Sequence, residues 1–148
     1  MKKDNRERKK RWELLKELVN SSPYYRYLGM ELTEFFEGGS RMRMEVRREH
    51  TNIYGTAHGG AICSLADSTC GLALGSLLIE GETAVTLDLR INFFAPLREG
   101  EVSGIGRVIH KGGKTAVEEA EILDKDGKLI AKAVATHFIL KPAENQQS

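Results

Sequence analysis

The hydrophobic period changes several times along the chain, and each change marks an element. Residues 4–20 set Trp12, Leu15, Leu18 and Val19 at helical spacing on a charged background, which predicts an amphipathic helix. Ser21-Ser22-Pro23 ends it. The period then becomes two. Arg41-Met42-Arg43-Met44-Glu45-Val46-Arg47 alternates as a half-buried strand does, and Met30 to Glu37 precedes it across Gly38-Gly39-Ser40, so the two read as a hairpin. Ala57 to Ile79 abandons alternation and is apolar on nearly every side, the pattern of a buried helix, which Glu80-Gly81-Glu82 closes. Thr83 to Phe94 alternates again. It puts Val85, Leu87, Leu89, Ile91 and Phe93 on one face and Thr86, Asp88, Arg90 and Asn92 on the other. Glu101 to His110, Thr115 to Leu123 and Leu129 to Leu140 are three further strands, separated by Lys111-Gly112-Gly113-Lys114 and Asp124-Lys125-Asp126-Gly127. The polar tail from Pro142 is expected to fray.

The order is helix, two strands, a long buried helix and four strands. The last three strands fit an antiparallel meander, and a sheet carrying one helix on a single face is an α+β architecture. One helix leaves the other face, or an edge, free for self-association. A chain of 148 residues suits one domain with a real core. The expected division is a helix over 1–22, a folded domain over 23–141 and a tail over 142–148.

Charge and composition narrow the function by exclusion. The net charge of +1 provides no global field that would draw the chain to nucleic acid or to a membrane. The basic start of the first helix raises a nucleic-acid role, but the favoured reading is a solvated helix docked by its apolar stripe. The N-terminus, Met1-Lys2-Lys3-Asp4, lacks the apolar run of a secretory signal, and the stretch 57–79 contains His58 and Asp67, which suit it poorly to a membrane. A cytoplasmic protein is expected. Cys63 and Cys70 lie seven residues apart on one predicted helix, so about 10 Å separates them, too far for a disulfide. The four histidines (50, 58, 110 and 137) are scattered and offer no metal-ligand spacing.

Residues 52–67 read Asn-Ile-Tyr-Gly-Thr-Ala-His-Gly-Gly-Ala-Ile-Cys-Ser-Leu-Ala-Asp. Taken singly, Asn52 suits a turn, His58 a cap and Gly59-Gly60 a flexible bend. Asp67 is harder to explain structurally, because a carboxylate amid Leu65, Ala66, Cys70 and Leu72 is costly unless paired or used. Together the residues suit acyl transfer to water. Glycines before a helix let a substrate approach the backbone, and free helix N-terminal amides can hold a developing oxyanion. A carboxylate in apolar surroundings suits a general base. His58 and Asp67 are nine residues apart, about 180° around a helix and about 13 Å along it. If both act on one substrate, and the helix starts near Gly59, the site must join one subunit's helix N-terminus to another subunit's Asp67.

The spacing Asn-x2-Gly-x2-His-Gly-Gly-x6-Asp, at Asn52, Gly55, His58, Gly59, Gly60 and Asp67, resembles the signature of hot-dog-fold thioesterases, nearest the phenylacetic-acid-degradation branch. The strand Ala84 to Pro96 and the hairpin Gly106 to Lys114 are also similar to the family's, so the resemblance spans roughly residues 28–140. It implies a six-stranded antiparallel sheet wrapped around the central helix. It implies dimers joined edge to edge, commonly paired into tetramers, that hydrolyse acyl-CoA without metal or bound cofactor, CoA being part of the substrate. It further implies Asp67 as base or nucleophile, the Gly59 N–H as the group polarising the thioester carbonyl, and Asn52 as a polar partner of that carbonyl. His58 would position substrate, and Thr86 would help orient water. Gly60 and Tyr54 are candidates to line the substrate site, and Arg90, Arg107, Lys111 and Lys114 to meet the CoA phosphates.

Two alternatives have different consequences. A non-catalytic acyl-CoA sensor that also binds DNA would need a complete DNA-reading unit, whereas residues 1–22 offer one helix. A hot-dog dehydratase or hydratase would also use a His and a carboxylate, but the spacing from Asn52 to Asp67 fits the thioesterase pattern better.

Overall fold

The computed structural model describes residues 2–142, with side chains from Asp4. The expected tail beyond Pro142 therefore lies outside the described residues. Three helices, α1 (Lys2–Asn20), α2 (Pro23–Leu28) and α3 (Gly59–Gly75), accompany six strands. These are β1 (Met30–Phe36), β2 (Gly39–Val46), β3 (Thr83–Phe93), β4 (Gly100–Lys111), β5 (Thr115–Asp124) and β6 (Leu129–Leu140). All strand pairs are antiparallel, in the order β1-β2-β4-β5-β6-β3. The α+β architecture is as expected: β4, β5 and β6 form the meander, and α3 touches every strand of the sheet that wraps it.

The core follows from the inward alternation. Leu32, Met42, Met44, Ile62, Leu65 and Ile122 are fully or almost fully buried between α3 and the sheet. Each contributes about 1.5–3 kcal/mol by leaving water. The helix sits unusually close to β4. A Cβ at Gly106 would stand 2.5 Å from the backbone oxygen of Thr69, so only glycine fits there. Ser40 on β2 then donates a 2.7 Å hydrogen bond to that same oxygen.

Several boundaries differ from the sequence reading, each for a local reason. The central helix is shorter than 57–79: Ala57 and His58 are extended, and His58 caps the helix start. Beyond Gly75 the chain turns, with the Ser76 hydroxyl bonded back to Ala73 O. The first hairpin turns at Glu37-Gly38, where Gly38 takes φ 71°, and Gly39 and Ser40 already belong to β2. The short helix α2, with Pro23 at its start, was not anticipated.

The N-terminal helix docks as expected. Trp12 Nε1 donates to Ser76 O at 3.1 Å, and Asn20 exchanges two hydrogen bonds with the backbone of Leu32, at 3.0 and 2.8 Å. These contacts pin α1 across β1 and the C-terminal end of α3. Leu14 and Leu18 nevertheless stay exposed. Among the described residues, no helix is long and apolar enough to cross a membrane.

Candidate active site

The site is built around an irregularity in β3. Thr86 pairs with His137 of β6, but the next pair is Asp88 with Thr136, so Leu87 is an extra residue in the ladder. A bulge of this kind re-aims its neighbours. It corrects the single-face reading of Thr83 to Phe94. Leu89 and Ile91 face the core, whereas Val85 and Leu87 face out and are exposed. Thr86, expected on the face of Asp88, Arg90 and Asn92, instead points inward at α3.

There its hydroxyl donates to Asp67 Oδ1 at 2.9 Å and lies 3.1 Å from His137 Nε2. His137 Nδ1 in turn lies 2.8 Å from Glu118 Oε2. Asp67, partly exposed, ends this chain, and Glu118, fully buried, begins it. Gly71 of α3 makes room for the imidazole.

Asp67, Thr86 and His137 open on a cavity of about 560 Å³. Most of its remaining lining is apolar and includes Leu14, Leu15 and Leu18 of α1 with Leu72, Leu78 and Ile79, alongside the charged Arg11, Glu80 and Glu82. Tyr25 of α2 also lines it. Burial pushes the Tyr25 phenol up, the negative charge of Asp67 pushes the same way, and a hydrogen bond with Ser68 opposes both. Both cysteines are reduced, and burial raises both thiols, with Asp67 adding to each and Glu118 adding to Cys70. Raised thiols hold their protons near neutral pH and are poor nucleophiles.

The other half of the predicted site lies elsewhere in the same chain. His58 Nδ1 accepts the Gly60 N–H at 2.8 Å, so His58 is the helix cap. No hydrogen bond among the described residues takes the Gly59 N–H. Asn52 Oδ1 accepts from the backbone N–H of Tyr54 at 2.9 Å and Asn52 Nδ2 donates to Thr56 at 3.0 Å, which fixes the loop ahead of the helix. Tyr54 is 80% exposed on that loop and does not line the Asp67 cavity. His58 and Gly60 border a second cavity of about 550 Å³, and Gly59 a third of about 350 Å³ beside Phe93. The helix does start at Gly59, so the condition set by the spacing of His58 and Asp67 is met.

The four basic candidates do not converge within one chain. Arg90, on the outer face of β3, pairs with Asp88 at 3.6 Å. Arg107 of β4 stands 5.2 Å over the Phe36 ring, and Lys111 and Lys114 flank the exposed β4–β5 turn. Sequence reasoning missed His137, Glu118, Tyr25 and the leucines of α1. A signal existed for two of them. Glu118 and His137 occupy inward positions of strands whose other inward residues include Ala116, Ala120 and Ile122, and Ala131, Ala133, Ala135 and Ile139.

Comparison with known proteins converges on one family. The thioesterase superfamily profile matches residues 54–131. Human acyl-coenzyme A thioesterase 13 is 35% identical over 131 residues, covering 86% of this chain and 92% of that protein. A thioesterase from Haemophilus influenzae superposes with a TM-score of 0.83 at 29% identity, covering 91% of this chain and 94% of its own. The PaaI protein from the phenylacetic acid degradation operon of E. coli superposes with a TM-score of 0.81 at 25% identity, covering 88% and 94%. The chain therefore belongs to the thioesterase superfamily, as a hot-dog-fold thioester hydrolase of the PaaI type.

Proposed function

We propose that this chain hydrolyses acyl-CoA thioesters to free acid and CoA, with Asp67 as the group that activates water. The observation that carries this reading is the Asp67 carboxylate, held by Thr86 at the mouth of an apolar cavity. Water on Asp67 gives up a proton to the carboxylate as its oxygen attacks the thioester carbonyl carbon. The carbonyl π electrons move to oxygen, where the free Gly59 N–H and the α3 N-terminus offer positive charge. Collapse breaks the C–S bond, the electron pair leaves on sulfur, and Asp67 returns the proton to the thiolate. The apolar wall built with α1 suits an aliphatic acyl chain.

Gly59 and Asp67 border different cavities of one chain, which supports a site shared between two subunits. The surface for that pairing is the β3 edge. It bears exposed Val85, Leu87 and Phe93, with exposed Phe94 just past its end, and Ile53 and Tyr54 on the loop before α3 are also exposed, at 91% and 80%. A long apolar edge strand of this kind calls for a partner. In such a dimer His58 and Asn52 hold the loop that presents Gly59, and further pairing of dimers would give a tetramer.

The test is release of free thiol across acyl-CoAs of aryl, short, medium and long chain. Asp67→Asn should lower kcat on the order of 10²–10⁴-fold, the usual worth of a general base. Full activity in that variant would sink the assignment. Randomly mixed Asp67→Asn and Asn52→Ala subunits should recover about a quarter of wild-type sites, since half of the dimers are mixed and each holds one intact site. No recovery would contradict the shared site.

A further inference from the structure

We infer that Glu118 and His137 form a buried positioning pair that points the Thr86 hydroxyl at Asp67; this rests on Asp67 acting as the base. Three contacts link four side chains in one line: Asp67 Oδ1 to Thr86 Oγ1 at 2.9 Å, Thr86 Oγ1 to His137 Nε2 at 3.1 Å, and His137 Nδ1 to Glu118 Oε2 at 2.8 Å. Three hydrogen bonds need three protons. An ionised Asp67 has only lone pairs, so Thr86 spends its single proton there. Thr86 then presents a lone pair to His137, and Nε2 must carry the second proton. The third lies between Nδ1 and Glu118.

Glu118 is what fixes this arrangement. It is fully buried, its Oε2 meets only His137, and its Oε1 has no partner among the described residues. A carboxyl group buried so incompletely satisfied is costly, and packing alone would favour an apolar residue. Gly71 tells the same story, since a helix-interior glycine is also costly and here it clears space for the imidazole. Without Glu118 the imidazole is free to carry its proton on Nδ1. The Thr86 hydroxyl would then turn to Nε2, and Asp67 would lose its donor. Glu118 is sealed from the cavity and His137, only 3% exposed, borders it at its edge; both act on Asp67 through the Thr86 hydroxyl.

The pair is tested by spectroscopy and by kinetics. In protein labelled with ¹⁵N-histidine, His137 should show a hydrogen on Nε2. Glu118→Leu/His137→Phe, which keeps the volume apolar and leaves no orphan charge, should lower kcat about tenfold, with KM and melting temperature maintained. Glu118→Gln should keep kcat within about twofold, because its amide N–H can donate to Nδ1 and hold the same tautomer. In a Thr86→Val background the Leu/Phe pair should cost nothing more, whereas a structural role would add. Full kcat in the Leu/Phe variant, an additive loss with Thr86→Val, a bare Nε2 in the wild-type spectrum, or a tenfold loss in Glu118→Gln would each overturn the pair. If the Leu/Phe variant does not fold, the spectrum and Glu118→Gln still decide. Asp67→Asn run alongside separates the two readings: if it is active, the base assignment fails, and if it is inactive while the Leu/Phe variant keeps full kcat, only this pair fails.

Discussion

Gly71→Ala sets helix propensity against the geometry of the imidazole. The new Cβ would stand 3.2 Å from His137 Nε2 and 3.7 Å from its Cε1. The 3.7 Å contact is ordinary, but the 3.2 Å contact is tight, so the ring must retreat by a few tenths of an ångström. It has little freedom to do so, because Glu118 holds Nδ1 at 2.8 Å and Thr86 lies 3.1 Å from Nε2. A retreat of that size away from Thr86 takes this contact from 3.1 Å to about 3.4 Å, close to the limit of about 3.5 Å for a hydrogen bond. Losing it costs about 1 kcal/mol, whereas alanine in place of glycine inside α3 contributes about 0.5–1 kcal/mol. The two nearly cancel, so the melting temperature should stay within about 3 °C of wild type. Activity has no such compensation: kcat for thiol release should fall about tenfold. Thermal melts and a free-thiol assay on the same preparation decide it. A variant that melts higher and keeps full kcat would show that the ring has slack, and the reasoning would be wrong.

Gly106→Ala should be far more damaging to stability, by about 3 kcal/mol in urea melts, because its Cβ would meet the Thr69 backbone oxygen at 2.5 Å and the whole helix must lift. Leu14→Ala/Leu18→Ala strips one wall of the Asp67 cavity. It should lower kcat/KM for a medium-chain acyl-CoA about tenfold and leave acetyl-CoA unchanged; equal losses on both substrates would place the acyl chain elsewhere. Stability should fall with alkali. Below the ordinary thiol pKa of about 8.5, folded and unfolded chains both keep the Cys70 proton. Above it the unfolded chain releases the proton while burial makes the folded chain keep it, so unfolding gains up to ~1.4 kcal/mol per pH unit. Cys70→Ala should flatten that slope in melts between pH 8 and 10, and an unchanged slope would refute the buried thiol as its source.

Much of the fold was legible because it rests on periodicity. The alternation of residues 41–47, the all-round apolar character of α3 and the turn residues of the meander each reflect one local rule, and the structure agrees with all three. The helix start at Gly59 entered only as a condition of the spacing argument, against a predicted start at Ala57; it is the His58 cap that sets it. What failed was the inference from alternation to face in β3. Thr86 and Asp88 were read as neighbours on one face, and nothing in Thr83 to Phe94 marks Leu87 as a bulge. The extra residue is decided by the pairing with β6 and by what α3 offers beneath it. Propensity also missed α2, six residues long, which is held by its packing on β1.

The buried pair shows where the boundary between legible and hidden features lies. Glu118 and His137 each break an inward run of apolar residues, so each is visible as a misplaced polar group. The two strands are joined by the short turn after Asp124, but a bulge between Ile122 and Leu123 shifts the register by one, so Glu118 stands opposite Ala135, diagonal to His137, and not opposite Val134 as a straight count from the turn would put it. Their contact follows from the hairpin only when the inward faces of the two strands are matched across that bulge. The hidden step is that β3, which precedes β4 in sequence, adds to the far side of β6 and sets Thr86 opposite His137. That crossover joins a polar pair formed within one hairpin to a carboxylate on α3. A chain with the same hairpin but β3 elsewhere would keep the Glu118–His137 bond and have no path from it to Asp67.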